Sequence, residues 1–216
     1  MPNDHTTQQR WTGSGFHAQA LGDGCLLYVG RVPPTLSWDE ATFKAVWALH
    51  PAARPVIKML GRHVAVPRWY QAYGADYYFS RQTSEALPVP DLLAPLLAWA
   101  SAAIDPRMNG LLLNWYDGRF GHYIGPHNDN EKQLAEGAPI VTVSFGETRV
   151  FRLSRKGPGG RTLTRDFAAV PGTVFILPRE TNGEWKHAVP RKASYLGRRI
   201  SVTVRAFETD PDTKDI

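Results

Sequence analysis

Between Gly110 and Phe207 the chain is cut into short runs by turn residues, and that spacing limits the fold more than any other feature. The runs are Leu111–Tyr116, Tyr123–Asp129, Ile140–Phe145, Arg149–Ser154, Thr162–Phe167, Thr173–Leu177, Lys186–Pro190 and Arg199–Phe207. Between them fall Asp117-Gly118, Gly146-Glu147, Gly157-Pro158-Gly159-Gly160, Pro171-Gly172 and Asn182-Gly183, the residue types that make tight turns. Eight such strands predict a mainly β, α+β domain. Its two sheets form a jelly roll (a double-stranded β-helix) with flanking helices.

The first hundred residues supply the bracing. Cys25–Arg31 reads as a strand closed by Pro33-Pro34. Ser37-Trp38-Asp39-Glu40 has the capping-box pattern, which predicts a helix to about His50 with Phe43, Val46 and Trp47 as its apolar stripe. A second helix is predicted over Asp91–Ile104, with Pro95 tolerated in its first turn. Residues 1–22 are polar and aperiodic, a flexible arm; one domain then spans 23–207, and 208–216 form an acidic tail. The segment 56–80 interleaves Lys58, Arg62, His63, Arg68, Trp69, Tyr70, Tyr73, Tyr77, Tyr78 and Phe79. Cations that meet phosphates and rings that stack on bases suit a nucleic acid. A twisted hairpin packing its aromatics on the helices is the other reading of the same residues.

Composition narrows the partners. The longest apolar stretch, Leu92–Ile104, contains Pro95 and is too short to cross a bilayer. The start Met1-Pro2-Asn3-Asp4-His5 lacks the features of a secretory signal. A single cysteine, Cys25, excludes an internal disulfide and a cysteine-based zinc cluster, and fits a cytoplasmic compartment, or a nuclear one in a eukaryote. A net charge of +5 and a pI near 9.4 are compatible with a polyanionic partner. No membrane partner is expected, and a monomer is.

Chemistry concentrates in three places. In His127-Asn128-Asp129, strand alternation points an imidazole and a carboxylate the same way, so that they can grip one divalent ion. With His187 as the third ligand they form the two-histidine, one-carboxylate set that suits ferrous iron. In the strand from Arg199 to Arg205, alternation separates Arg199, Ser201, Thr203 and Arg205 from Ile200, Val202 and Val204. The polar set is either a solvated face or an inner wall where two guanidinium groups clamp a dianionic acid. Asn114 and Tyr116 share a face of their own strand and offer an amide and a phenol to one ligand, a pairing that is also common in purely structural strands.

Taken together, His-x-Asp, the distant histidine, the Arg-x5-Arg strand and the Asn-x-Tyr strand resemble the AlkB family of iron(II)- and 2-oxoglutarate-dependent dioxygenases. The resemblance covers roughly Val56–Phe207 and includes Pro67-Arg68, Tyr77-Tyr78-Phe79-Ser80 and Trp185-Lys186-His187-Ala188-Val189-Pro190. It implies Fe(2+) held by His127, Asp129 and His187, with 2-oxoglutarate and O2 as co-substrates. Arg199 and Tyr116 would meet the far carboxylate, Arg205 would lie nearer the metal, and Asn114 and Thr203 would add hydrogen bonds. The implied activity is oxidative demethylation of bases such as 1-methyladenine and 3-methylcytosine in alkylated DNA, or in RNA, with release of formaldehyde. On the substrate side the resemblance implies stacking by Phe79 with Tyr77 beside it, a contact from Glu131, and a duplex wedge at Leu60. RNA or tRNA demethylation or hydroxylation, protein hydroxylation, and a non-catalytic DNA-binding relative are the alternatives.

Overall fold

The strands β8 (Gly110–Asp117) and β15 (Arg198–Arg205) lie side by side, paired antiparallel from Arg198–Asp117 to Arg205–Gly110. Both are covered on two faces, and alternation sorts their side chains. Leu111, Leu113, Trp115, Ile200, Val202 and Val204 face one apolar layer. Leu112 joins a second apolar layer on the opposite face. The first layer is completed by α1 (Glu40–Trp47) and α2 (Ala94–Ala103). Val46 and Trp47 of the former and Leu96 and Ala100 of the latter are buried there. Trp115 ties the layers together by donating its indole N–H to the Val46 carbonyl at 3.0 Å.

The structure is a computed structural model that describes residues 11–12, 14–59, 61–79, 82–129 and 133–208, without the side chains of 58, 59, 78, 79 and 82. Numbered along the chain, the large sheet runs β1 (His17–Gly22), β2 (Cys25–Arg31), β13 (Thr173–Leu177), β10 (Ile140–Gly146), β15, β8, β5 (Trp69–Tyr73). A four-stranded sheet runs β12 (Thr162–Ala169), β11 (Arg149–Lys156), β14 (Lys186–Val189), β9 (Ile124–His127). Phe151 of the small sheet stacks on Phe175 of the large one, ring centroids 4.4 Å apart. Two hairpins, β3 (Val56–Met59) with β4 (Arg62–Ala65) and β6 (Tyr77–Phe79) with β7 (Gln82–Ser84), stand apart from both sheets. Eight strands from β8 to β15 therefore form the expected double-stranded β-helix. The sheet is extended by β1, β2 and β5, and the helices brace its outer face. No helix of the described residues is long and apolar enough to cross a membrane.

Four sequence expectations are corrected. The flexible arm does not extend to residue 22, because β1 pairs with β2 from His17–Val29 to Gly22–Cys25, and Phe16 is buried. Strand pairing satisfies this polar backbone without an apolar pattern to announce it. The first helix is capped by Asp39, whose carboxylate accepts the Thr42 N–H at 2.7 Å, rather than by Ser37, and the helix ends at Trp47. The second begins at Ala94, three residues later than expected. Asn182-Gly183 is not a hairpin turn; it lies inside a short helix, α3 (Arg179–Glu184). The turn at Gly146 is as expected: its φ is +82°, and a Cβ there would sit 2.4 Å from the Arg198 carbonyl oxygen.

His122, between β8 and β9, is 2% exposed and accepts the Asp117 N–H at Nδ1 over 3.2 Å, with Trp69 edge-on at 4.8 Å. Burial, reinforced by the charge of Arg54, pushes its imidazole down to about 4. As pH falls from about 6.5 to about 4, the unfolded chain therefore takes up a proton that the folded one refuses, and stability is lost across that window. The expected loss from this group is at most about 3 kcal/mol. Urea denaturation across the window should give a steeper fall for wild type than for His122→Asn, which keeps an acceptor without a titration. Parallel curves would rule the effect out.

Candidate metal and co-substrate site

A cleft between the sheets is lined by Asn114, Tyr116, Ser201, Thr203 and Arg205 of the large sheet and by Ile124, His127, His187 and Val189 of the small one. Arg68, just before β5, and Tyr77, the first residue of β6, reach into it. The polar half of β15 is thus an inner wall and not a solvated face: Arg199, Ser201, Thr203 and Arg205 are all buried. The apolar half, packed on the helices, forces this orientation.

At one end of the cleft three expected ligands meet. His127 and His187 face each other across β9 and β14, with ring centroids 4.2 Å apart. The Nε2 atom of each lies 3.9 Å from the same oxygen, Asp129 Oδ1. That is too long for a hydrogen bond and short enough for three donors around one ion. Asp129 lies beyond the strand, however, since β9 ends at His127. Alternation along a strand does not account for its direction.

The charges suit a cation. Asp129 Oδ2 accepts from Arg205 Nε and Nη2 at 2.8 and 2.6 Å, which leaves Oδ1 to the histidines. Tyr77 donates its hydroxyl to Oδ1 at a long 3.5 Å. Burial alone would raise the Asp129 carboxyl, but Arg205 and the two imidazoles outweigh it and hold it at about 2. Burial pushes His187 down to about 3, His127 adding to the effect, and lowers His127 as well. Both imidazoles are therefore neutral at pH 7, the form that ligates a metal. His127 Nδ1 sits 2.9 Å from the Gly125 carbonyl; a proton shared there leaves the Nε2 lone pair to the cleft.

Arg199, fully buried, donates Nη2 to Ser144 Oγ at 2.6 Å and lies with its Cζ 5.2 Å from the centre of the Tyr116 ring. Its Nε and Nη1 are buried with no hydrogen-bond partner among the described residues. Burial pushes this guanidinium down to about 10, against the pull of the Tyr116 hydroxyl. Unpartnered buried N–H groups on an arginine carry a large cost unless an anion meets them.

Several residues of this site were missed in sequence. Arg68, grouped there with phosphate-facing cations, is buried and donates Nε to Asn114 Oδ1 at 2.6 Å, which turns the Asn114 N–H2 group away from it. Ser144 was legible in principle, since β10 alternates as β15 does and pairs Ser144 with Ser201. Arg149, the first residue of β11, is buried. It donates to Glu147, the His122 carbonyl and the Gly197 carbonyl. Arg152 pairs with Asp166 and Arg155 with Asp23, so both charges are internally matched. Of the expected substrate contacts, Tyr77 lines the cleft, its ring under Arg205. Leu60, Glu131 and the Phe79 side chain lie outside the described residues.

A roll with two histidines, one carboxylate and an anion-seeking arginine inside it is the architecture of a non-haem iron oxygenase that uses an oxo acid. Comparison with known proteins agrees. The 2OG-Fe(II) oxygenase superfamily matches residues 39–205. DNA oxidative demethylase ALKBH2 of Homo sapiens is 31% identical over 157 residues, 69% of this chain and 60% of that protein. The ALKBH2 of Arabidopsis thaliana is 31% identical over 215 residues, 86% of this chain and 67% of that protein. The solved structure of OsALKBH1 superposes with a TM-score of 0.53, covering 88% of this chain and 99% of that one; at 16% identity it speaks for the fold alone. The chain belongs to the 2OG-Fe(II) oxygenase superfamily and, within it, to the AlkB family. It spans 60% of the length of the human relative.

The family implies iron(II), 2-oxoglutarate and dioxygen, and the residues present fit them. Three donor atoms converge, two of them neutral imidazoles, and an unpartnered guanidinium lies within the same roll. The Asp129–Arg205 pair also stabilises the fold. Asp129→Ala strands a buried arginine and should cost the metal-free protein about 3–5 kcal/mol. Equilibrium unfolding in urea measures this, and a loss below about 1 kcal/mol would show the pair to be unimportant for stability.

Proposed function

We propose that the protein is an iron(II)/2-oxoglutarate-dependent dioxygenase that demethylates alkylated bases in DNA. The observation that carries this reading is the convergence of His127 and His187 Nε2 on Asp129 Oδ1 inside a roll that also buries an anion-seeking arginine. His127, Asp129 and His187 would hold the iron. When bound, iron and 2-oxoglutarate would use dioxygen, one oxygen atom going to the succinate left as carbon dioxide is lost and the other to an N-methyl carbon, which would then leave as formaldehyde.

The rest is the work of this chain's own residues. Arg205 occupies Oδ2 of Asp129 and so presents a single oxygen, Oδ1. Arg199, with Tyr116 against it, takes the far carboxylate of the oxo acid through the N–H groups now without partners. Arg68 fixes the Asn114 amide so that its donor side faces the co-substrate, and Thr203 adds a hydroxyl to the same wall. Tyr77 closes the cleft above Asp129 and keeps water from the carboxylate.

A base within a duplex cannot reach so buried a centre; it must be flipped out or already single-stranded. Phe79 stacking, Glu131 contacting the base and Leu60 wedging the duplex are our assignments for that step. An exposed Arg62 and His63 on the β3–β4 hairpin and a net charge of +5 support a polyanionic substrate. The name DNA oxidative demethylase belongs to the relatives and supports DNA over other polyanions. We read the enzyme as a monomer acting in the compartment that holds its DNA.

Two measurements test the reading. Formaldehyde and succinate should appear together when iron(II), 2-oxoglutarate and oligonucleotides bearing 1-methyladenine or 3-methylcytosine are supplied, and both should vanish with Asp129→Ala. Succinate without base-derived formaldehyde would overturn the demethylase while leaving an oxygenase. Replacing Arg199 by methionine removes two charge-assisted hydrogen bonds. It should weaken 2-oxoglutarate binding to the Mn(II)-loaded protein by about 100-fold, on the order of 3 kcal/mol, with Mn(II) affinity itself unchanged. Calorimetry gives both numbers.

A further inference from the structure

The side chain that bonds the Asp129 backbone comes from a distant part of the chain, residue 182. Past His127 the ladder of β9 stops, and the Asp129 backbone is held by α3. Asn182, fully buried, accepts the Asp129 N–H at its Oδ1 over 3.1 Å and donates Nδ2 to the Asp129 carbonyl at 3.2 Å. Asn128 returns the contact by donating Nδ2 to the carbonyls of Asn182 and Trp185, the latter at 3.2 Å. These bonds join residues 128–129 to 182–185, and His187 follows two residues later. The neighbour Thr181 anchors the same turn to the large sheet, its hydroxyl accepting the Leu26 N–H at 3.1 Å and donating to the Leu26 carbonyl at 2.8 Å.

We infer that Asn182 is a positioning residue for the metal centre, setting the direction of Asp129 relative to His187. This rests on the metal-binding reading proposed above. A carboxamide presents one acceptor and one donor edge in a plane, matching the N–H and C=O of a single residue as a neighbouring strand would. An aspartate at 182 would set oxygen against the Asp129 carbonyl, and an alanine would leave both backbone groups unmet. Fixing both backbone groups of Asp129 fixes its backbone angles, and thus where its carboxylate points. Thr181 and Asn182 divide the labour on one turn of helix. Thr181 fastens α3 to the scaffold, and Asn182 fastens the ligand loop to α3.

The test compares Asn182→Ala, Asn128→Ala and Thr181→Val with wild type in two readouts: Tm of the metal-free protein and calorimetric affinity for Mn(II), a redox-stable probe of a ferrous site. Loss of a group that orients a ligand typically weakens metal binding about 10–100-fold, and Asn182→Ala should fall in that range. Asn128→Ala should shift the same way by less. Thr181→Val should lower Tm while binding Mn(II) within about twofold of wild type, as a site outside the junction should. Mn(II) affinity that tracks Tm across all three variants would reduce Asn182 to a structural residue and overturn the inference. If Asn182→Ala does not fold, the contrast between Asn128→Ala and Thr181→Val decides by the same criterion. Wild type that binds no Mn(II) would sink the metal site itself, and the inference with it; normal wild-type binding with an unaffected Asn182→Ala would sink the inference alone.

Discussion

The site depends on one buried ion pair. Asp129 and Arg205 are each nearly inaccessible, and two guanidinium nitrogens meet one carboxylate oxygen. Taking both charges out of water is expensive, and their mutual attraction offsets that cost only when the geometry is good. Its value here is asymmetry. With Oδ2 engaged by a cation that cannot lose its proton, the carboxylate stays ionised, and its other oxygen is left to face two neutral imidazoles. A lone carboxylate among apolar walls would be driven to protonate and would ligate nothing.

That pair can form only because strands far apart in sequence are brought to one place. Arg205 is set by β15, whose other face is locked by Ile200, Val202 and Val204 against the helices. His127 and His187 are set by the antiparallel register of β9 and β14, which makes them direct cross-strand partners. Asp129 belongs to neither ladder. The facing strands set two of the three proposed ligands in this way, and the third comes from the segment beyond β9.

Period-two alternation made much of this visible in sequence. It separated Arg199, Ser201, Thr203 and Arg205 from their apolar neighbours, although only the helices packed outside decide that the polar face is the buried one. It also pointed to three residues that the structure brings together, for a partly wrong reason, since Asp129 does not lie on the strand of His127. What stayed hidden rests on contacts between distant segments. Arg68 looks like any surface cation until Asn114, forty-six residues later, is seen to accept from it. Asn182 sits beside a glycine and so mimics a turn, because short helices and turns draw on the same residues. The edge strand β1 has no apolar alternation, since most of it faces solvent on both sides.

The interior is also unbalanced in sign, and the imbalance has a chemical meaning. Arg68, Arg199 and Arg205 are buried in or beside the cleft, with Asp129 as the carboxylate that meets Arg205. Arg205 is matched; Arg68 has a neutral amide as its side-chain partner and Arg199 a neutral hydroxyl. Among the described residues neither Arg68 nor Arg199 makes an ion pair, although the Asp129 charge acts on Arg68 from a distance, and burial lowers the affinity of both for their protons. Selection for stability alone would replace such arginines with apolar residues of similar volume. Their retention makes sense if a dianion completes the core, so that the co-substrate acts partly as a structural element. The same bond that holds 2-oxoglutarate would then relieve the strain of an uncompensated charge, and affinity for the oxo acid and stability of the loaded fold would rise together.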